Sequence, residues 1–326
     1  MNCKKLCSGS LTALGLLALI LDGKTALAGA QEGIRLCLQT VIPTLFPFFL
    51  LTGLATDLLT GTGFPFLRPL ARLCRLPDRG SAFLIPAFLG GYPMGAQAVA
   101  AAWERGQLSH TAACRMLTFC SNAGPAFLFG MLSPMFPEPW MVWSLWGIHI
   151  LGALFAAVIL PGQVDSVPMP QAGHTDASAI MHRSLSALAA VCGWVICFRI
   201  LLAFLGRWFL WRLPVPVQIL ITGLLELANG CCLLPVIPSV SLRYVMAAGL
   251  LGLGGVCVAM QTVSVLHGLP LRPYLLGKGI QAGISVLLAL SVVRGFWIGL
   301  IPAFTAFLVL FPKWQRNSGI LRPHAV

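Results

Sequence analysis

Phe88-Leu89-Gly90-Gly91-Tyr92-Pro93-Met94-Gly95-Ala96-Gln97 places a Gly-Gly-X-Pro-X-Gly run inside an apolar segment. Proline removes a backbone donor and glycine loosens the chain, so a helix carrying this run is interrupted at a depth where interruption is costly. A second stretch, Leu253-Gly254-Gly255-Val256-Cys257-Val258-Ala259-Met260-Gln261, has the same plan, with a glutamine six positions beyond its second glycine in both copies. The pair predicts two related halves, each contributing a broken membrane segment with Gln97 or Gln261 just past the break.

Composition sets the environment. The chain has 326 residues, 58% hydrophobic and 9% charged, with a mean hydropathy of +0.88. A water-soluble globular domain does not reach these values, so the chain is expected to be an all-α polytopic membrane protein. At roughly 20 residues per span the apolar runs hold about eight to ten segments. Alternating strand patterns are absent, which argues against a β-barrel. The net charge of +12 falls between apolar segments. That distribution fits loops held at the cytoplasmic face against anionic lipid and gives no reason to expect nucleic acid. The 11 cysteines show neither CxxC pairs nor histidine-spaced metal patterns, so no metal site and no cofactor is expected.

Five regions follow: an N-terminal membrane helix (1–29), a first membrane half (30–160), a polar linker (161–183), a second half (184–312) and a basic tail (313–326). Lys4, Lys5, the run Leu11–Leu21 and Ala26-Leu27-Ala28 resemble a secretory signal, but a retained helix of about Ser10–Ala28 with a cytoplasmic start is the expectation. Pro43 and Pro47 bend Leu36–Leu59. Arg68, Arg72, Arg75 and Arg79 are spaced as one face of an amphipathic surface helix. Ser109 is placed as the N-cap of a helix from His110, which stops at Cys120-Ser121-Asn122-Ala123-Gly124-Pro125. Trp140–Leu160 reads as a plain span with interfacial tryptophans. In the second half Leu185–Leu205, Val217–Leu234, Val240–His267, Tyr274–Val293 and Gly295–Phe311 are the apolar segments, and Lys313, Arg316 and Arg322 favour a cytoplasmic C-terminus.

Enzyme signatures are missing: there is no His-Glu-x-x-His, no G-x-S-x-G and no Walker loop, so catalysis is not expected. What stands out is a set of polar groups in apolar segments: Gln97, Ser121, Asn122, Glu226, Asn229 and Gln261. Each is costly in hydrocarbon unless paired or wetted. Together with the breaks at Gly90, Gly91, Gly254 and Gly255 they form the candidate solute site, since helix stumps expose amides and carbonyls near mid-membrane. Glu226 is the sharpest of them. It could carry a coupling proton, ligate a cation or accept hydrogen bonds from a solute; the structural alternative is an internal ion pair with Arg199 or Arg243. Glutamine-mediated helix packing is the corresponding alternative for Gln97 and Gln261.

Pro43-Thr44-Leu45-Phe46-Pro47-Phe48, Gly90-Gly91-Tyr92-Pro93-Met94-Gly95-Ala96, Ser121-Asn122-Ala123-Gly124-Pro125 and Glu226-x-x-x-Gly230 together resemble the YlbJ-type sporulation integral membrane proteins. These belong to the wider group with a nucleoside-recognition, or Gate, domain. The resemblance spans about residues 30–310. It implies a transporter-like fold of two Gate-like halves in the cell membrane of a spore-former, and a nucleoside-like solute, although a shared fold does not hand over a substrate. The expected function is therefore a transporter or permease-like protein that binds a small polar solute between two repeats, with a proton or cation as coupling ion. The rival is a non-transporting scaffold for assembly of the spore envelope or cortex. A second copy or other sporulation membrane proteins are the partners expected besides the bilayer.

Overall fold

The computed structural model describes residues 3–59, 65–76, 78–160, 162 and 177–296. The expected final segment 295–311 lies outside these apart from Gly295 and Phe296, and so do the basic tail and most of the linker; the side chains of Lys4, Lys5 and Arg79 are not described either. Every regular element among the described residues is helical.

The first helix, α1, runs Cys3–Leu21 and ends where Asp22 accepts the Thr25 N–H as the cap of α2, Gly23–Leu36. The single helix expected at Ser10–Ala28 is thus divided, because an aspartate is a stronger start signal than the apolar run is a continuation. A wide turn at Cys37–Val41 joins α2 to α3, Ile42–Leu59, which carries Pro47. Helix α10, Ala177–Trp208, lies along α2. Gly29 and Gly33 are what permit it: a side chain at either would meet the Ile200 or Ile196 backbone at 2.9 Å. Helix α10 also takes in 177–183, which composition had assigned to the linker.

Between these pairs the chain is repeatedly interrupted. Short α4, Arg68–Leu73, precedes α5, Leu84–Phe88, and α6, Met94–Glu104. The α5–α6 connection reverses direction, bringing Gly95 against Ala87. Helix α7, His110–Leu117, begins at Ser109, whose hydroxyl accepts the Ala112 N–H as expected. After an irregular stretch the chain resumes as α8, Pro125–Phe127, and a wide turn to Leu132. Helix α9, Pro139–Ile159, is a full span with Trp140 and Trp143 exposed. In the second half α11, Val215–Leu225, and α12, Leu227–Leu233, form a hairpin in which Gly230 abuts Gly223. The sequence reading had made this one continuous segment. Helices α13, Val240–Leu253, and α14, Gly255–Val265, are joined at Gly254, and α15, Arg272–Val293, is a straight span.

Among the described residues, five helical stretches are long and apolar enough to cross a bilayer: 23–55, 139–159, 177–208, 240–265 and 272–293. Shorter apolar helices lie at 12–21, 125–135, 215–225 and 227–236. Helix α15 lies between α9 and α13, and three close approaches set its depth: Gly277 against the Thr118 carbonyl, Gly252 against Ala282, and Gly152 against Ser285 and Gln281.

The arginine face expected on residues 68–79 is only partly formed. Helix α4 ends at Leu73, and Arg75 adopts a left-handed backbone (φ 58). It turns inward, donating to the Val158 carbonyl at 3.1 Å. Buried Arg115 donates to the neighbouring Ala157 carbonyl. Two guanidinium groups thus satisfy the C-terminal carbonyls of α9, where positive charge complements the helix dipole.

Candidate functional site

Four interruptions converge. The tip of the α5–α6 hairpin carries Gly90 and Gly91, the latter with φ +80. Gly91 lies against Gly124, whose side chain, were there one, would meet Gly91 Cα at 3.0 Å. The α11–α12 hairpin turns at Glu226, in extended backbone. Gly254 joins α13 to α14 at φ +79, beside the Tyr92 hydroxyl, and Gly255 faces the carbonyls of Gly223 and Leu224 at the end of α11. The second glycine pair is therefore wedged between the two hairpins.

A half-open cavity lies where these elements meet. Its walls are Gly91 and Tyr92 from the first hairpin, Ala123 and Gly124 from the first break, Glu226, Leu227 and Ala228 from the second hairpin, and Val258 and Gln261 from α14. Val41, Leu45, Phe127, Val191 and Val195 complete an otherwise apolar lining. Few polar groups in an apolar pocket is the usual make-up of a small-molecule site.

Glu226 is buried and caps α12. Its carboxylate accepts the Ala228 N–H at 3.1 Å on one oxygen, and the Asn229 N–H at 2.7 Å and side-chain amide at 2.6 Å on the other. Asn229 thus acts through Glu226. Neither arginine weighed as an ion-pair partner serves as one. Arg199 stands 3.7 Å from Glu32, and Arg243 donates to the carbonyls of Met135 at 2.6 Å and Ile237 at 2.8 Å. The Gln261 amide donates to the Cys257 thiol at 3.4 Å.

Gln97 is elsewhere. It lines a separate space with Arg105, Arg183 and Ser184, although its helix α6 packs against α14, which carries Gln261. The equal spacing had matched unlike elements: Gly90–Gly91 is the tip of a reversing hairpin, whereas Gly254–Gly255 joins two helices that run on.

Ser121 and Asn122 are buried behind the cavity. The Ser121 hydroxyl has no partner among the described residues. The Asn122 amide donates to the carbonyls of Ala87 at 2.9 Å and Phe119 at 2.8 Å, and its oxygen accepts from Gln281 at 2.9 Å. That bond leads into a group that sequence reasoning missed. Lys278, buried on α15, donates to Gln281 at 2.7 Å, to the Tyr92 hydroxyl at 3.1 Å and to Asn122 at 3.5 Å. Tyr92 in turn donates to the Leu251 carbonyl at 2.9 Å. His149 Nε2 accepts the Ala123 N–H at 2.9 Å, and Gln281 donates to the His149 carbonyl at 2.9 Å. The signal was present. Gly277-Lys278-Gly279-x-Gln281 is polar in an apolar run by the criterion that selected Glu226, and His149 interrupts an apparently plain span.

The helices and their interrupted centre define an all-α polytopic membrane protein. Among characterised proteins, the chain is similar to the sporulation integral membrane protein YlbJ of Bacillus subtilis (strain 168), 24% identical over 329 aligned positions that cover 82% of this chain and 78% of that one. No family model matches the chain, and no solved structure matches it.

Proposed function

We propose that this chain is a sporulation-associated membrane protein of the transporter or permease kind, which binds a small solute between its two halves. The observation that carries the reading is the convergence of both hairpin tips, the first break and α14 on one cavity. Each half follows the same order: a long helix, a short hairpin, an interrupted helix and a straight span. In that order the tip Gly90–Tyr92 corresponds to Glu226, and the break Ser121–Gly124 to Gly254. Interrupted helices meeting between repeats are the usual setting of transporter sites. The lining favours a solute with an apolar body and one hydrogen-bonding group directed at Glu226 or Gln261; the nucleoside-like solute that the resemblance implies, with its ribose hydroxyls, would carry more polar groups than this lining answers. No catalysis is proposed, and both termini are placed in the cytoplasm. The relative's name supports the link to sporulation.

Thermal unfolding of the purified full chain against nucleosides, metabolites and metal ions tests the reading, because a ligand of the folded state raises its stability. A shift in the wild type that Glu226→Gln or Gln261→Ala removes is expected. The scaffold reading draws on the three internal hydrogen bonds that already engage Glu226. It prevails if no solute shifts the wild type and both variants keep the sporulation phenotype.

A further inference from the structure

Lys278 is an ammonium buried to 3% exposure in a spanning helix, and no carboxylate pairs with it among the described residues. A bare charge there is costly, and retained ones mark functional paths in membrane proteins. Its surroundings are neutral oxygens: the Tyr92 hydroxyl, the Gln281 carbonyl and the Asn122 carbonyl at 3.1, 2.7 and 3.5 Å. The ring of Tyr92 adds its face, 4.8 Å from the ammonium. Three N–H donors meet three acceptors, so the charged form is fully satisfied; a neutral amine keeps two N–H groups and loses the charge that strengthens its contacts with the Tyr92 hydroxyl and ring.

The groups around it do not supply a counter-charge. From α9 comes His149, whose Nε2 accepts a backbone N–H and which is therefore neutral. From the end of α7 come Cys120 and Arg115, the latter bonded to Thr118 and to the Ala157 carbonyl. From α13 comes Tyr244, paired with Ser144 at 2.7 Å. Tyr274 is on the lysine's own helix, its ring centroid 5.9 Å from the ammonium. Glu226 has its oxygens engaged at the head of α12.

We propose that Lys278 is a reversible proton-binding site coupled to the cavity through Tyr92. The hydroxyl of Tyr92 holds the ammonium while Tyr92 itself forms part of the cavity wall beside Gly91. Loss of the proton from the ammonium to water takes the charge out of its hydrogen bond and ring contact with Tyr92 and so loosens the hold on the hairpin tip; its return restores that hold. The ligand is a proton, in the position where a monovalent cation ringed by neutral oxygens would sit. The proton site stands on this geometry, and its coupling to solute rests on the function proposed above.

The test reads the cavity wall without a solute. In the full chain with native cysteines replaced, Val258→Cys provides one thiol on the cavity, and its rate of modification by a small water-soluble maleimide is followed from pH 5 to 9 against a model peptide thiol. The wild-type lysine is expected to give a pH profile departing at least threefold from the peptide thiol. Lys278→Arg, which keeps its charge, should hold the low-pH rate, and Lys278→Met the high-pH rate, each following the peptide profile otherwise. A wild-type profile that tracks the peptide overturns the proposal whether or not the variants fold, and so does a departure that persists in Lys278→Met. The solute-dependent thermal shift is read separately, so failure of the proton site and failure of the solute site are distinguishable.

Discussion

Glu226 and Lys278 are opposite charges in one membrane interior, and each is made tolerable by hydrogen bonds rather than by the other. For Glu226 the partners are the amides that every helix start leaves unsatisfied. Glu226→Leu therefore strands two backbone donors and the Asn229 amide, a loss on the order of 3 kcal/mol by the cost of buried unsatisfied groups. Glu226→Gln keeps an acceptor and should cost about 1 kcal/mol. Thermal unfolding in detergent checks the ranking; equal losses would remove the cap from the account. Gln261→Ala is expected to abolish any solute-dependent shift while Gln97→Ala leaves it intact, since only Gln261 borders the cavity with Glu226. At this scale the sequence was informative about polarity and silent about partnership. Asn122 and Glu226 stood out in their apolar runs, but their donors come from Gln281, 159 positions away, and from a local turn of the main chain.

Elements are held together by backbone approach. In lipid, small residues at crossings replace the hydrophobic drive available in water. Helix α15 provides an internal comparison. A methyl at Gly277 would overlap the Thr118 carbonyl, whereas one at Gly279 meets nothing within 4 Å. Gly277→Ala should cost about 1–3 kcal/mol or prevent assembly, and Gly279→Ala should be neutral or stabilising by about 0.5–1 kcal/mol. Matched thermal unfolding of the two variants checks this, and loss of stability in both would point to helix propensity of another origin. The interruption at Gly90–Pro93 and the cap at Ser109 were legible because proline, glycine and serine act locally. The hairpin at Glu226 was not: the turn Leu224-Leu225-Glu226-Leu227 holds neither proline nor glycine, and the reversal depends on Gly230 meeting Gly223 seven residues back.

Across the whole molecule, Arg243 ties the two halves where both interrupted regions end. Its guanidinium donates to Met135 in the first half and to Ile237 in the second. Arg243→Ala should lower stability by about 1.5–3 kcal/mol, the range for hydrogen bonds to charged groups, with Arg243→Lys recovering only part because an ammonium lacks the fork. Unfolding measurements on both variants check the order. Composition was sufficient for the membrane class, and the absence of alternating strand patterns for the all-helical fold, since only helices and closed barrels satisfy their backbone in lipid. It could not count spans, because several apolar stretches are too short to cross.

That shortness bears on how the protein enters the bilayer. Helix α11 has 11 residues, about 16 Å of helix at 1.5 Å per residue, against a hydrocarbon core of about 30 Å. Helix α12 is shorter still, at 7 residues. Neither can be threaded across as an independent span during synthesis, and each exposes backbone groups that lipid cannot satisfy. The second hairpin must therefore settle onto a template made by longer helices, and α13 and α14, which face it, are synthesised later. A nascent chain arrested before α13 should leave residues 215–236 open to aqueous thiol reagents at Cys231 and Cys232, and release of the full chain should close Cys231, which is buried, while leaving Cys232 exposed.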